Sequence, residues 1–174
     1  AADDFTGALD TGIQFAKKGI PTQVVSERTL CPEAVHSDTE VLVLNAETRH
    51  LPPAEAYEVI AAITKQARQL GAAYLFKKTD SALRGNTAPE LAAMLAASGE
   101  QELLFLPAHP TIGRITRGGV HYVGDVPVVQ SVFGKDPFEP VTNSFIPDLF
   151  RGEGCAVAVV PVGKLPAPIE TPRV

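Results

Sequence analysis

Helix-spaced and strand-length apolar stretches alternate along the chain. From Thr6 to Lys18, Leu9, Ile13 and Ala16 recur at helical spacing, and Gly19 supplies a stop. Thr22 to Val25 is a short strand candidate. Val41 to Leu44 is a continuous apolar run closed by Asn45, the pattern of a strand buried on both faces of a parallel sheet. Pro53 to Leu70 is amphipathic, with proline in the first turn and Gly71 beyond the end, which predicts a long helix. Ala73 to Phe76 and Leu103 to Leu106 predict two more buried strands, with an Ala- and Leu-rich helix from Thr87 to Ala97 between them. After Pro107 the pattern loosens. Residues 113–124 are glycine-rich, Val120 to Val123 predicts a short strand, Ser144 to Phe150 a short helix, and Ala156 to Val160 a last strand.

This order predicts βαβ units and a parallel sheet covered on both faces. The expected fold is α/β, a Rossmann-like three-layer domain with a mostly parallel sheet over residues 1–160. Ala1-Ala2-Asp3-Asp4 reads as the end of a strand whose body is expected before Ala1. Pro161, Pro166, Pro168 and Pro172 make 161–174 a Pro-rich linker, expected to lead to a further domain.

Bulk properties narrow the function classes. The 174 residues, 45% hydrophobic, suffice for one domain with a core. A net charge of −5 argues against a nucleic-acid surface, which needs a basic excess, but leaves room for a local basic pocket. No apolar run approaches the ~20 residues of a membrane span, and no signal-peptide pattern opens these residues. Cys31 and Cys155 stand far apart, form neither a disulfide framework nor a zinc spacing, and suit a reducing cytoplasm.

The densest polar clusters all follow strand candidates. In open parallel sheets ligands bind at the carboxyl ends of strands, so these clusters are expected to converge on one rim. The first is Asp3, Asp4 and Thr6, with Asp10 one turn later. A helix opening at Thr6-Gly7 offers free N–H groups to a ligand, and a carboxylate beside them can orient a hydroxyl or take its proton. The plainer account is a helix cap. Asn45, Glu47 and Arg49 follow the second strand. Lys77-Lys78-Thr79-Asp80-Ser81-Ala82-Leu83-Arg84-Gly85-Asn86 follows the 73–76 run. There Arg84 can fork a carboxylate, Asp80 and Ser81 suit ligand hydroxyls, and Gly85-Asn86 suits a tight turn. A solvated turn with a surface ion pair is the alternative. The third cluster, Pro107 through Thr116, carries His109, Gly113 and a second anion fork, Arg114. His36, His50 and His121 have no metal-ligand spacing, no metal site is expected, and no nucleotide fingerprint is present.

Taken together, Ala2-Asp3-Asp4-Phe5-Thr6-Gly7-Ala8-Leu9-Asp10, the 77–86 segment and the 107–116 segment resemble the N-terminal, sugar-binding domain of the four-carbon acid sugar kinases. The likeness continues through Gly118-Gly119-Val120-His121-Tyr122-Val123 and Asp136-Pro137. The Lys-Lys-Thr-Asp-Ser-x-Leu-Arg-Gly-Asn run is more similar to the D-threonate and D-erythronate enzymes than to the 3-oxo-tetronate ones. His109 departs from the family pattern, where an aromatic such as Phe is usual.

The resemblance implies ATP-dependent phosphorylation of the 4-hydroxyl of a four-carbon sugar acid. It implies two α/β domains meeting across a cleft, with ATP and Mg2+ held mainly by a C-terminal nucleotide-binding domain, so that this part alone is expected to be inactive. Under it, Arg84, with Arg114 beside it, clamps the substrate carboxylate. Asp3, Asp4, Asp80 and Ser81 hold the hydroxyls. Thr6, Asp10, Lys78, Gly85, Asn86, His109 and Gly113 complete the site, and Asp4 or Asp80, or an acid on the other domain, serves as base. A sugar-acid-binding module without catalysis is the other reading. Exposed sheet edges allow a homodimer.

Overall fold

A computed structural model describes residues 1–164 and 172–174. The regular elements are helix α1 (Phe5–Ala16), strands β1 (Thr22–Val25) and β2 (Val41–Leu44), helices α2 (Pro53–Gln69) and α3 (Thr87–Ser98), strands β3 (Arg114–Arg117), β4 (Val120–Val123) and β5 (Val126–Pro127), and a short helix α4 (Ile146–Leu149). The fold is mixed α/β. A parallel sheet pairs β1 with β2, and a small antiparallel sheet has the order β3-β4-β5.

The parallel sheet extends past β2 by isolated bridges. Ala2 lies between Asn45 and Lys78, parallel to both. Ala2 N donates to Leu44 O, Ala46 N to Ala2 O, and Lys78 N to Ala1 O, each within 2.9 Å. Alternation along β2 divides two packing layers. Val43 packs with Ala8 of α1 and with Ala2. Leu44 packs with Ile60 and Ile63 of α2 and with Ala93 and Met94 of α3. A strand with apolar groups on both faces is what the uninterrupted Val-Leu-Val-Leu run encodes.

Three strand expectations differ from what forms. Residues 73–76 and 103–106 make no regular ladder among the described residues. Beside the first, Ala1 N donates to Phe76 O at 2.8 Å and Ala2 bridges Lys78. In the second, Leu103 N donates to Arg173 O, and the pairing stops there among the described residues. Their side chains still alternate. Leu75, Leu103 and Phe105 turn to the core, whereas Tyr74, Phe76, Leu104 and Leu106 stand exposed. Of the 156–160 expectation, Ala156 and Ala158 bond to the 172–174 segment, which itself bridges Glu102, so three short parallel pieces replace one strand. In the linker expectation, Pro166 and Pro168 lie outside the described residues, while Val174 packs into the core.

Helix α1 forms where its spacing predicts but turns an unexpected face inward. Leu9 and Ile13 are about half exposed, and the buried positions are Gly7, Ala8 and Gly12. A Cβ on Gly12 would sit 2.8 Å from Val24 Cγ2, so the small residues let the helix lie directly on the sheet. Close approach wins here over burying the larger stripe. It also seats the first turn of α1 beside Lys78, whose Nζ would lie 3.5 Å from a Cβ on Gly7.

Candidate functional site

The polar clusters that follow the strand candidates converge on one rim, beside a cleft of about 1290 Å³. Asp4 has the extended backbone of an N-cap, and its Oδ1 accepts from Gly7 N at 2.8 Å, so the capping account of this aspartate holds. Its other oxygen remains for the site, and Arg49 takes it at 2.7 Å. Arg49 also donates through Nε and Nη2 to Asp3 Oδ2 and lies 3.9 Å from Asp80 Oδ1. One guanidinium therefore ties the first cluster to the second.

Asp80 organises the turn after it. Its Oδ2 accepts from Ala82 N, Arg84 N and Arg84 Nε, and its Oδ1 accepts from Arg84 Nη2 at 3.0 Å. The Asp80–Arg84 pair is thus a two-pronged fork. The backbone reaches it through a left-handed Leu83, φ 66°, and a left-handed Gly85, φ 77°. A buried leucine in that region is strained and is held there by its surroundings. Burial drives the Asp80 carboxyl upward, but the Arg84 hydrogen bonds and charge, with Arg49 behind them, outweigh this and hold it below the usual carboxylate range. Hydrogen bonding to Asp80 raises Arg84 above its ordinary value.

Asp4, Thr6, Asp10, Lys78, Asp80, Ser81, Arg84 and His109 line the cleft together with Arg49. Asp3 lies beneath, buried against Arg49. Asn86 is spent on structure, because its side-chain amide donates to Thr48 O and Leu51 O and fastens the 48–51 loop. Gly85 serves by what it lacks, since a Cβ there would meet Arg49 Cγ at 2.9 Å. Gly113, φ 71°, turns the chain so that Arg114 pairs back on His109. The other end of the cleft is apolar, with Tyr74, Phe76, Leu104 and Leu106.

Four further residues shape this rim: Arg49 and Lys77, which the sequence places in the polar clusters without a specific role, and His121 and Phe133, which it leaves outside them. Arg49 is its central cation. Lys77 is fully buried, paired with Glu90 of α3 and bonded to Lys78 O. His121, completely buried, places Nε2 2.8 Å from Ser81 O and Nδ1 2.9 Å from Thr116 Oγ1. A carbonyl only accepts, so Nε2 carries the proton and Nδ1 accepts from the threonine hydroxyl. Burial lowers the His121 pKa, which favours this neutral form. Phe133 lies under two guanidinium groups, Arg84 at 5.2 Å and Arg114 at 4.8 Å from the ring centre. The sequence signal for His121 was its place two residues after Gly118-Gly119, within the family-like stretch. Glu90 was legible as a single acid inside an Ala/Leu-rich helix.

The arrangement presents fixed carboxylates, hydroxyls and cations to a cleft, which is the equipment for a small polar anion. A profile described as the sugar-binding N-terminal domain matches residues 1–170, and the chain belongs to that family. The relatives are four-carbon acid sugar kinases. Over 170 residues the chain is 40% identical to a D-threonate kinase of Bordetella bronchiseptica, covering 95% of this chain and 41% of that one. It is 34% identical over 153 residues to a D-erythronate kinase of Heliobacterium modesticaldum, covering 87% of this chain and 35% of that one. It is 30% identical over 158 residues to a 3-oxo-tetronate kinase of Escherichia coli, covering 87% and 40%. The chain therefore spans about two fifths of the length of these relatives. A crystal structure of a domain of unknown function from Bordetella bronchiseptica, with bound citrate and as a domain-swapped dimer, superposes with a TM-score of 0.82 at 37% identity, covering 94% of this chain and 41% of that one.

Proposed function

We propose that this chain is the sugar-acid-binding domain of an ATP-dependent kinase that phosphorylates the 4-hydroxyl of a four-carbon sugar acid, D-threonate, D-erythronate or a 3-oxo-tetronate. The observation that carries the reading is the Asp4–Arg49–Asp80–Arg84 network, which fixes acids and cations at the mouth of one cleft. Cations at the rim meet the ligand carboxylate, while Asp4 and Ser81 meet its hydroxyls. Citrate in the Bordetella structure is itself a hydroxy acid and fits the same preference. The matching TM-score and the two packing layers on β2 support a Rossmann-like three-layer arrangement.

Of the two aspartates expected to act as base, Asp4 is the better candidate. Asp80 already accepts four hydrogen bonds and is held ionised, which leaves it little affinity for a proton. Asp4 has one partner on each oxygen and faces the cleft. Phosphoryl transfer asks mainly for positioning and charge neutralisation, and positioning is what these residues supply.

ATP, with Mg2+, supplies the phosphoryl group in this reading. Among the described residues no His, Cys, Asp and Glu group is arranged for a metal ion. The rim carboxylates Asp3, Asp4 and Asp80 are each engaged by arginine, so this donor set does not fit Mg2+. Both groups are assigned to a C-terminal nucleotide-binding domain. The exposed apolar row Tyr74, Phe76, Leu104 and Leu106 along the cleft is the surface such a domain would cover. A homodimer is proposed on the likeness to the dimeric Bordetella structure.

Calorimetric titration tests the reading. D-threonate or D-erythronate binds, a neutral four-carbon polyol does not, and Arg84→Ala weakens the acid at least about tenfold. Equal binding of acid and polyol would sink the assignment. ATP consumption by the whole polypeptide in the presence of the acid separates a kinase from a binding module without catalysis.

A further inference from the structure

Helix α1 carries an apolar stripe that the fold leaves uncovered. Phe5, Leu9 and Ile13 follow one another at four-residue spacing, so they stack on one face of the helix, and they are 54%, 46% and 49% exposed. Helical spacing marks Leu9 and Ile13 for burial, yet Gly7, Ala8 and Gly12 take that place. Large apolar side chains in a regular row on a surface mark a contact with another protein surface.

The glycines locate the stripe. Gly12 is three residues beyond Leu9 and so lies beside it on the helix surface. A Cβ on Gly12 would sit 2.8 Å from Val24 Cγ2 and 3.7 Å from Thr22 Cγ2, both in β1. Gly7, two residues before Leu9 and nearly opposite it around the helix, rests beside Lys78 instead. The stripe is therefore on the β1 side of α1, away from the cleft and from the apolar row Tyr74, Phe76, Leu104 and Leu106. Among the described residues β1 pairs with β2 alone, so no further strand lies beneath the stripe. The 32–36 loop is fastened to β1 through Gln23, whose Nε2 donates to Ala34 O at 2.7 Å and whose Oε1 accepts from His36 N. Gln23 alternates with Thr22 and Val24 along the strand, so that loop covers the opposite face of β1 and leaves the stripe bare.

Charge selects the occupant. Asp10 and Lys17 are both exposed and stand seven residues apart, so they flank the stripe on one side, with the acid nearer the N-terminal end and the lysine at the C-terminal end. A second α1 laid antiparallel on the first turns Asp10 of each copy toward Lys17 of the other, and it sets the two helix dipoles in opposition. A parallel arrangement would bring like charges together. Antiparallel apposition of two identical faces is a two-fold contact, which closes as a dimer.

We propose that the face made by Phe5, Leu9 and Ile13 is where a second copy of this chain docks, with the two α1 helices antiparallel across a two-fold axis. This rests on the homodimer reading above and gives it a face, and it stands apart from the sugar-acid reading.

Sedimentation velocity across a concentration series tests it, on wild type, Leu9→Gln, Ile13→Glu, Lys17→Glu, the Asp10→Lys/Lys17→Glu double variant and Leu104→Glu, each shown to be folded by its thermal transition. Wild type sediments as two chains and Ile13→Glu as one. Leu9→Gln and Lys17→Glu each weaken association about tenfold. The double variant, which exchanges the charges, regains the wild-type dimer, and Leu104→Glu, in the apolar row of the cleft, keeps it. A dimer that survives Ile13→Glu overturns this face while the homodimer stands. A charge exchange no tighter than Lys17→Glu alone overturns the antiparallel arrangement. A wild type that sediments as a single chain throughout overturns both the face and the homodimer.

Discussion

Nε and Nη2 of Arg49 both lie 2.8 Å from a single oxygen of Asp3, Oδ2, while the other oxygen of Asp3 is buried without a hydrogen-bond partner among the described residues. The geometry is a fork closed on one tine. It leaves Nη1 of Arg49 for Asp4 and keeps Nη2 within reach of Asp80. Removing the guanidinium would leave Asp3, almost wholly buried, and Asp4 without their cation, while Asp80 keeps its fork to Arg84. Arg49→Ala is therefore expected to lower stability by about 3 kcal/mol, the scale for breaking one side of a buried pair. Arg49→Lys retains the charge without the fork and should recover only part of that. Urea unfolding of the three proteins measures it. An Arg49→Ala variant as stable as wild type would show that the network is decorative.

Gly85 and Gly99 make a matched pair. Both have left-handed backbone, φ 77° and 78°. Beyond Gly99, the C-cap of α3, a Cβ meets open space, whereas at Gly85 it meets Arg49 Cγ at 2.9 Å and Arg49 O at 3.2 Å. Alanine at Gly99 should cost about 1 kcal/mol, the left-handed penalty alone. Alanine at Gly85 should cost about 1–2 kcal/mol more, because Arg49 must shift. Acid binding should fall with Gly85→Ala and stay unchanged with Gly99→Ala. Equal destabilisation of the two variants would mean that Arg49 yields freely.

His121 gives the domain a pH dependence of definite sign. Burial lowers its folded pKa below 6.5, with Arg114 adding to the drop, while the Ser81 carbonyl and Asp80 act in the opposite direction. Between that lowered value and 6.5 the unfolded chain binds more protons than the folded one, so stability falls as pH drops through this window. Protonation would also put a proton on Nδ1, where the Thr116 hydroxyl donates, and disturb the hold on Ser81. Wild type should lose more stability from pH 7.5 to pH 5 than His121→Gln does. Parallel curves would mean that His121 titrates alike in the folded and unfolded chain. Asp80 acts lower. Its depressed pKa contributes stability above about pH 4, lost as pH falls through the folded value.

The clusters at the rim were legible because strand ends collect polar residues in a parallel sheet, and the Asp3–Asp10, 77–86 and 107–116 runs stand out as such. Their internal pairing was not. Arg84 read as a free clamp, yet its fork closes on Asp80 only four residues away, and nothing in the order of residues says which acid captures which arginine. Asn86 read as a site residue because its turn position is visible, whereas its bonds to the 48–51 loop depend on tertiary approach. In α1 the periodicity found the helix and misjudged its buried face, since Gly7 and Gly12 contribute no hydrophobic signal yet permit the nearest contact. The 103–106 run shows the converse: strand-like composition that forms no ladder among the described residues.

Lys77 and Glu90 form an ion pair with each side chain about 1% exposed, and Glu90 Oε1 has no hydrogen-bond partner among the described residues. Such a pair is weak evidence for net stability, because desolvation of both charges opposes their attraction. What it does is locational. Lys77 follows the 73–76 run and precedes Lys78 in the cleft wall, so the pair ties the site segment to α3, and Lys77 Nζ also holds Lys78 O at 2.8 Å. Either single change, Lys77→Met or Glu90→Leu, leaves an uncompensated buried charge and should cost about 3–5 kcal/mol. Making both changes should cost far less than their sum, with a coupling of about 2 kcal/mol or more. The double variant should therefore fold, yet bind D-threonate more weakly than wild type, because stability returns while the tether does not. Full recovery of both stability and affinity would mean that the pair only fills space, and additive losses would mean that the two charges do not sense each other.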